Sequence, residues 1–288
     1  MIEAKNIQLA CVLGAGTMGH GIAHSLAAVG IKTRLYDIDE KATSKGLASI
    51  RANMEKGVAL GKVTAQARDN ALALLSATSD FDAAVGGVDV VIEAVPERLE
   101  LKCFLFGRMS QALGPEVLLA SNTSSLPITR IAEGSVHPER VVGMHFFNPV
   151  HLMKLIEVVR AGQSSDAAVS LALELGIRMG KDPIEVRDTP GFASSRLGLC
   201  IGLEAMRMFE SGVASAEDID KAMVLGYSFP MGPLKLTDLV GLDVRLGIAE
   251  HLAKELGPRF EPPKLLREMV AAGKLGKKSG QGFYIWPK

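Results

Sequence analysis

Ile7-Gln8-Leu9-Ala10-Cys11-Val12-Leu13 runs directly into Gly14-Ala15-Gly16-Thr17-Met18-Gly19. The first stretch is short, apolar and β-branched at intervals, which suits a buried strand. The second fits G-x-G-x-x-G, a weak pattern alone because glycine is common. Its position strengthens it, since an apolar-periodic helix from about Thr17 to Val29 follows, Gly30 ends that helix, and Thr33 to Tyr36 reads as a second strand. The first glycine permits a tight turn, the second lets a pyrophosphate approach the backbone, and the third lets helix and strand pack closely. The opening helix offers free amides and a partial positive charge to phosphates. Asp37, at the end of the second strand, has the spacing of an acid that bonds an adenosine ribose and repels a 2′-phosphate. The unit therefore points to a dinucleotide, NAD rather than NADP, with Gly14, Gly16, Thr17, Met18, Gly19 and Asp37 as its contacts. A methyltransferase also places a glycine loop after its first strand, but the later strands and helical C-terminal part fit that class poorly.

Moving outward, Val88–Glu93, Val117–Ala120, Val141–Met144 and Leu155–Val159 read as further strands, with helical stretches such as Glu40–Lys56 and Glu100–Ala112 between them. Alternating strands and helices imply a Rossmann-like, doubly wound parallel sheet, an α/β fold. Asp188-Thr189-Pro190-Gly191 is a turn cluster, and beyond it strand signals nearly vanish. Ser194–Glu210, Ser215–Leu225, Leu234–Leu256 and Pro263–Ala272 read as helices, and Ser215 with an acid at the third helical position resembles a capping box. The expected organisation is a dinucleotide-binding domain over residues 1–187 and a smaller all-α domain over residues 188–288.

The bulk numbers agree. A chain of 288 residues, 48% hydrophobic and 22% charged, can bury two cores. A formal net charge of zero and no dense basic run argue against nucleic-acid binding. Cys11, Cys103 and Cys200 are odd in number and far apart, so they read as reduced thiols of a cytoplasmic protein. The N-terminal apolar run is broken too soon by glycine for a signal peptide or a membrane span. His20 and His24 stand four apart on one helix, but no third ligand accompanies them, so no metal is expected.

Five blocks carry a resemblance: Gly14–Gly19, Glu93-Ala94-Val95-Pro96-Glu97, Ser121-Asn122-Thr123-Ser124-Ser125-Leu126, His145-Phe146-Phe147-Asn148-Pro149 and Asp188-Thr189-Pro190-Gly191-Phe192. With the closing Gly276-Lys277-Lys278-Ser279-Gly280-Gln281-Gly282-Phe283-Tyr284, the whole chain resembles the 3-hydroxyacyl-CoA dehydrogenase family, most closely its short bacterial members acting on 3-hydroxybutyryl-CoA. The resemblance implies NAD as cofactor, an acyl-CoA substrate, and a helical second domain that closes over the acyl end and forms a homodimer.

Oxidising a secondary alcohol needs a base for the hydroxyl proton and a hydride acceptor nearby. His145 is read as lying just past a strand end, where open α/β sheets bind ligands, and histidine titrates in the useful range. Glu157 lies inside Leu155-Ile156-Glu157-Val158-Val159, where a charge is costly unless paired; adjacent strands would join the two. The resemblance makes them the catalytic pair. It also implies that Ser124 bonds the substrate 3-oxygen, that Asn148 contacts the nicotinamide end and substrate, and that Asn122, Glu97, Lys102 and Lys278 contact the cofactor. Ser49 and Lys56 match positions that bind CoA. One departure stands out: Ser195, before Arg196, occupies the place where the family commonly has a catalytic asparagine. Two other readings remain open, a dehydrogenase of a free hydroxy or sugar acid and a non-catalytic NAD-sensing protein.

Overall fold

In the computed structural model, which describes residues 2–287, the apolar run becomes β1 (Leu9–Leu13), followed by α1 (Thr17–Ala28) and by β2 (Lys32–Tyr36), parallel to β1. The sheet grows to eight strands: β3 (Leu75–Thr78), β4 (Val90–Glu93), β5 (Leu118–Ser121), β6 (Val141–Phe146), β7 (Leu155–Arg160) and β8 (Asp182–Arg187) complete it. Their order is β3-β2-β1-β4-β5-β6-β7-β8. The first six strands pair in parallel, β7 runs antiparallel to β6, and β8 runs parallel to β7. The order reverses between β1 and β4, and the crevice outside the carboxyl ends at such a switch point is where doubly wound sheets bind ligands. The central strands β4, β5 and β6 are buried at every position, as expected of strands covered on both faces.

Two strands are absent from the sequence reading, and both sit at sheet edges. β3 has only four residues, none of them fully buried, and β8 carries Pro183 and a largely exposed, charged face. Edge strands tolerate proline and polar residues, so they lack the apolar run that betrays a central strand. The strand read as Val141–Met144 extends two residues further, so His145 lies within β6 rather than beyond its end.

The chain divides into two compact units, one ending at Thr189 and one beginning at Pro190. In the second, helices Ser194–Glu210, Ala216–Gly226, Pro233–Val240, Leu242–Leu256 and Lys264–Ala271 pack around Leu203, Met206, Leu234, Leu252 and Phe260. The single helix expected over Leu234–Leu256 is two helices, because Gly241 has φ +105, outside the range of a helical L residue. Ser215 caps its helix by accepting from Asp218 N at 3.1 Å, but its hydroxyl also donates to the Asp218 carboxylate at 2.8 Å. The acid thus binds the serine hydroxyl, a different arrangement from the reciprocal backbone bond of a capping box. Among the described residues no helix is long and apolar enough to cross a membrane.

Candidate active site

The glycine loop closes where β1 meets β4. Gly14 has φ +96, and a Cβ there would lie 2.6 Å from Ala94 O; at Gly19 it would lie 1.7 Å from Gly14 O. Neither position can carry a side chain. At Gly16 the opposite holds, since nothing stands within 4 Å of a built Cβ. Gly16 is also the N-cap of α1 and makes no side-chain cap bond, which leaves first-turn amides for a ligand. Asp37 braces this loop by accepting from Ala15 N at 2.8 Å. An open, unhindered backbone beneath a bare helix start fits the pyrophosphate of a dinucleotide.

β6 and β7 place His145 directly opposite Glu157 in their antiparallel register. His145 Nδ1–H donates to Glu157 Oε2 at 2.7 Å; the carboxylate is 0% exposed and the histidine 7%. This assigns the Nδ1–H form of the ring in contact with the carboxylate. The Phe147 ring packs on the imidazole, with centroids 4.5 Å apart. A cavity of about 300 Å³ opens here, lined among others by Met18, Ala94, Glu97, Asn122, Ser124 and His145. The glycine-loop methionine and the histidine thus share one niche.

The Asn122–Ser125 turn is held from below by carboxylates. Glu93, at the end of β4, is 0% exposed and accepts from Lys102 Nζ at 2.6 Å, Ser121 Oγ at 2.7 Å and Val95 N at 2.7 Å. Burial pushes the Glu93 carboxyl up, and the Lys102 charge and these bonds oppose it. Lys102 also lies 3.4 Å from Glu97 Oε2. Glu97 in turn accepts from Thr123 Oγ1 at 2.5 Å, Ser124 N at 3.0 Å and Ser125 Oγ at 3.3 Å. Asn122 Oδ1 accepts from Phe146 N at 2.9 Å, tying the turn to β6. Lys102, read as a cofactor contact, is therefore a buried cation engaged by two carboxylates. Sequence reasoning missed Glu93, Ser121 and Thr123 as builders of the site. The signal for Glu93 was available, because it follows Val90-Val91-Ile92 as Glu157 follows Leu155-Ile156.

The remaining candidates lie elsewhere. Lys56, Asn148 and Thr17 line a second, larger cavity of about 830 Å³. Ser49 is on the same helix as Lys56, α2 (Glu40–Ala59), but lines neither cavity; its hydroxyl donates to Lys45 O at 2.9 Å. Ser195 and Lys278 belong to the second unit. Ser195 is half-buried in the first turn of helix Ser194–Glu210, and exposed Lys278 pairs with Asp243 at 2.5 Å.

Fold and niche together define a nicotinamide-dependent dehydrogenase. Family models for 3-hydroxyacyl-CoA dehydrogenase match in tandem, the NAD binding domain over residues 9–189 and the C-terminal domain over residues 191–286. The chain is 42% identical over 283 residues to a 3-hydroxybutyryl-CoA dehydrogenase of Mycobacterium tuberculosis, covering 97% of this chain and 99% of that protein. It is 39% identical over 281 residues to a mitochondrial hydroxyacyl-coenzyme A dehydrogenase of Sus scrofa, covering 95% and 89%. The crystal structure of an (S)-3-hydroxybutyryl-CoA dehydrogenase from Ralstonia eutropha superposes with a TM-score of 0.94 at 39% identity, covering 98% of this chain and 100% of that one. The chain belongs to the 3-hydroxyacyl-CoA dehydrogenase family of oxidoreductases, with NAD as cofactor.

Proposed function

We propose that this protein interconverts (S)-3-hydroxyacyl-CoA and 3-oxoacyl-CoA, with short chains such as 3-hydroxybutyryl-CoA preferred. The observation that carries the mechanism is the buried His145–Glu157 pair facing the niche shared with the glycine loop. His145 takes the hydroxyl proton in the oxidative direction. Its Nδ1–H is held by Glu157, so Nε2 is the basic nitrogen, and the carboxylate stabilises the imidazolium that forms. Ser124 lines the niche, and its hydroxyl can donate to a ketone or accept from an alcohol, which suits orienting the 3-oxygen in either direction. Bound NAD supplies the hydride acceptor at its nicotinamide ring. Asp37 supports NAD over NADP, because a carboxylate repels a 2′-phosphate. Lys56 is exposed on α2 and offers a mobile cation to the CoA handle.

The homodimer expected from the resemblance is proposed to form through the second unit, where Leu197, Val213, Leu225 and Tyr227 are each more than 60% exposed. Sedimentation at micromolar concentration checks this, and a monomer there rejects it. A reducing, cytoplasmic setting is proposed from three unbridged cysteines. The activity itself is tested with NAD and the separate enantiomers of 3-hydroxybutyryl-CoA, following reduced nicotinamide by absorbance. The S enantiomer should be oxidised and free 3-hydroxybutyrate should not. Oxidation of the free acid alone would move the protein to a hydroxy acid dehydrogenase.

A further inference from the structure

The cavity of about 830 Å³ is lined by three histidines and three lysines, His20, His24, His151, Lys56, Lys62 and Lys181, and by no aspartate or glutamate. His20 and His24 come from α1, Lys56 from α2 and Lys62 from the turn after it. His151 follows β6, and Lys181 precedes β8. Among the described residues that line this cavity, every charged or titratable group is therefore cationic or can become so. Thr17, from the glycine loop, and Asn148, three residues beyond His145 in sequence, also line the cavity.

Within it, His24 and His151 stack, with ring centroids 5.1 Å apart and planes 17° apart. His24 is 8% exposed, and its Nδ1 is buried with no hydrogen-bond partner among the described residues. An orphaned ring nitrogen at this depth calls for a hydrogen-bond partner. His20 differs, since its Nδ1–H donates to Gly16 O at 2.8 Å. Lys181 is anchored by donating to Val150 O and, at 2.8 Å, to Met153 O, which fixes the loop carrying His151.

We propose that the stacked His24–His151 pair makes binding of the phosphate-bearing arm of a CoA substrate proton-coupled, with one imidazole of the pair gaining a proton as the anion enters the cavity. The inference rests on the acyl-CoA reading above. Without a ligand, burial, the partner ring, His20 and Lys181 hold His24 down to about 4, and burial with Lys181 and His20 holds His151 low as well. A phosphate offsets part of the positive charge of Lys56, Lys62 and Lys181, so the proton that this crowding resists in the free protein is taken up more readily in the complex. The phosphates of the CoA diphosphate and the terminal 3′-phosphate share this chemistry.

The test is calorimetric titration of the NAD-saturated protein with CoA and with dephospho-CoA, from pH 6 to pH 8, in buffers of different ionisation heat. The 3′-phosphate itself titrates near pH 6, whereas the diphosphate of dephospho-CoA keeps its charge throughout. Net proton uptake is expected, with affinity for dephospho-CoA rising up to about tenfold per pH unit lowered where a full proton is taken up. Uptake with both ligands places the contact on the diphosphate, and uptake with CoA alone places it on the 3′-phosphate. His151→Asn at the half-buried position and His24→Gln at the buried one should each flatten the pH dependence. Binding without proton uptake, or uptake in both variants undiminished from the wild type, overturns the inference and leaves the acyl-CoA reading intact. No binding of either ligand at any pH would overturn that reading and this inference together.

Discussion

Both units bury carboxylates completely, yet they satisfy them in opposite ways. In the second unit Asp238 is 1% exposed and accepts from Phe283 N and Tyr284 N at 2.9 Å each and from Trp286 Nε1 at 2.8 Å. Asp220 accepts from Leu234 N and Lys235 N at 2.8 Å each and from the Tyr284 hydroxyl at 2.8 Å. These donors are neutral, and the amides and indole do not ionise at any useful pH. Burial and the Asp220 carboxylate push the Tyr284 phenol up, so it too stays a donor. In the first unit Glu157 faces an imidazole and Glu93 an ammonium. A carboxylate tied to backbone amides pins a chain segment. One tied to histidine stabilises a group that gains and loses a proton.

Glu157→Gln attacks this contrast hardest. The amide cannot stabilise an imidazolium, so kcat should fall by about 10²–10⁴ while NADH affinity, read by fluorescence titration, stays within a factor of about two. Lys102→Met should cost on the order of 3–5 kcal/mol in urea unfolding, because it strands a fully buried Glu93 carboxylate. Adding Glu93→Gln should restore part of that loss, and a double variant no better than the single would break the pairing argument. Asp238→Ala should cost about 2–4 kcal/mol by leaving three donors of the C-terminal segment without an acceptor.

The pH dependence of folding sharpens the comparison further. Histidine in an unfolded chain titrates near 6.5, whereas His24 in the fold is held down to about 4. As pH falls through that window the unfolded state binds the proton first. The stability tied to His24 is therefore complete above about pH 6.5 and is lost on acidification toward pH 4, by something on the order of 3 kcal/mol. The readout is the urea midpoint at pH 7 and at pH 4.5, compared between wild type and His24→Gln, which should lack this part of the acid sensitivity. The smallest effect belongs to Lys56→Ala. An exposed cation contributes about 1 kcal/mol or less, so KM for acetoacetyl-CoA should rise by no more than about fivefold while KM for NADH holds.

The first βαβ unit was readable from sequence because every constraint on it is local: an apolar run, three glycines with distinct duties, and an acid at the end of β2. Helix Ser194–Glu210 was equally plain from its periodicity, and its ends agree with the structure. What escaped was set by neighbours distant in sequence. β3 and β8 are strands because an edge of the sheet accepts them, not because their residues insist on it. The break at Gly241 hid in an apolar pattern that continues across it. Lys102 was read as a cofactor contact, since nothing in its own helix shows that Glu93 and Glu97 converge on it. His145 and Glu157 were legible, one from its setting and one as a charge in an apolar run, and adjacent strands were expected to join them. Their direct opposition comes from the one antiparallel pairing among the first seven strands of the sheet.

The most direct test of the account is the rate of acetoacetyl-CoA reduction by NADH in His145→Gln, measured by loss of reduced-nicotinamide absorbance under saturating conditions. The rate should fall by about 10³ or more, with NADH still bound as tightly as in the wild type. A rate within about tenfold of wild type would show that the buried His145–Glu157 pair is structural, like the carboxylates of the second unit, and would contradict the mechanism.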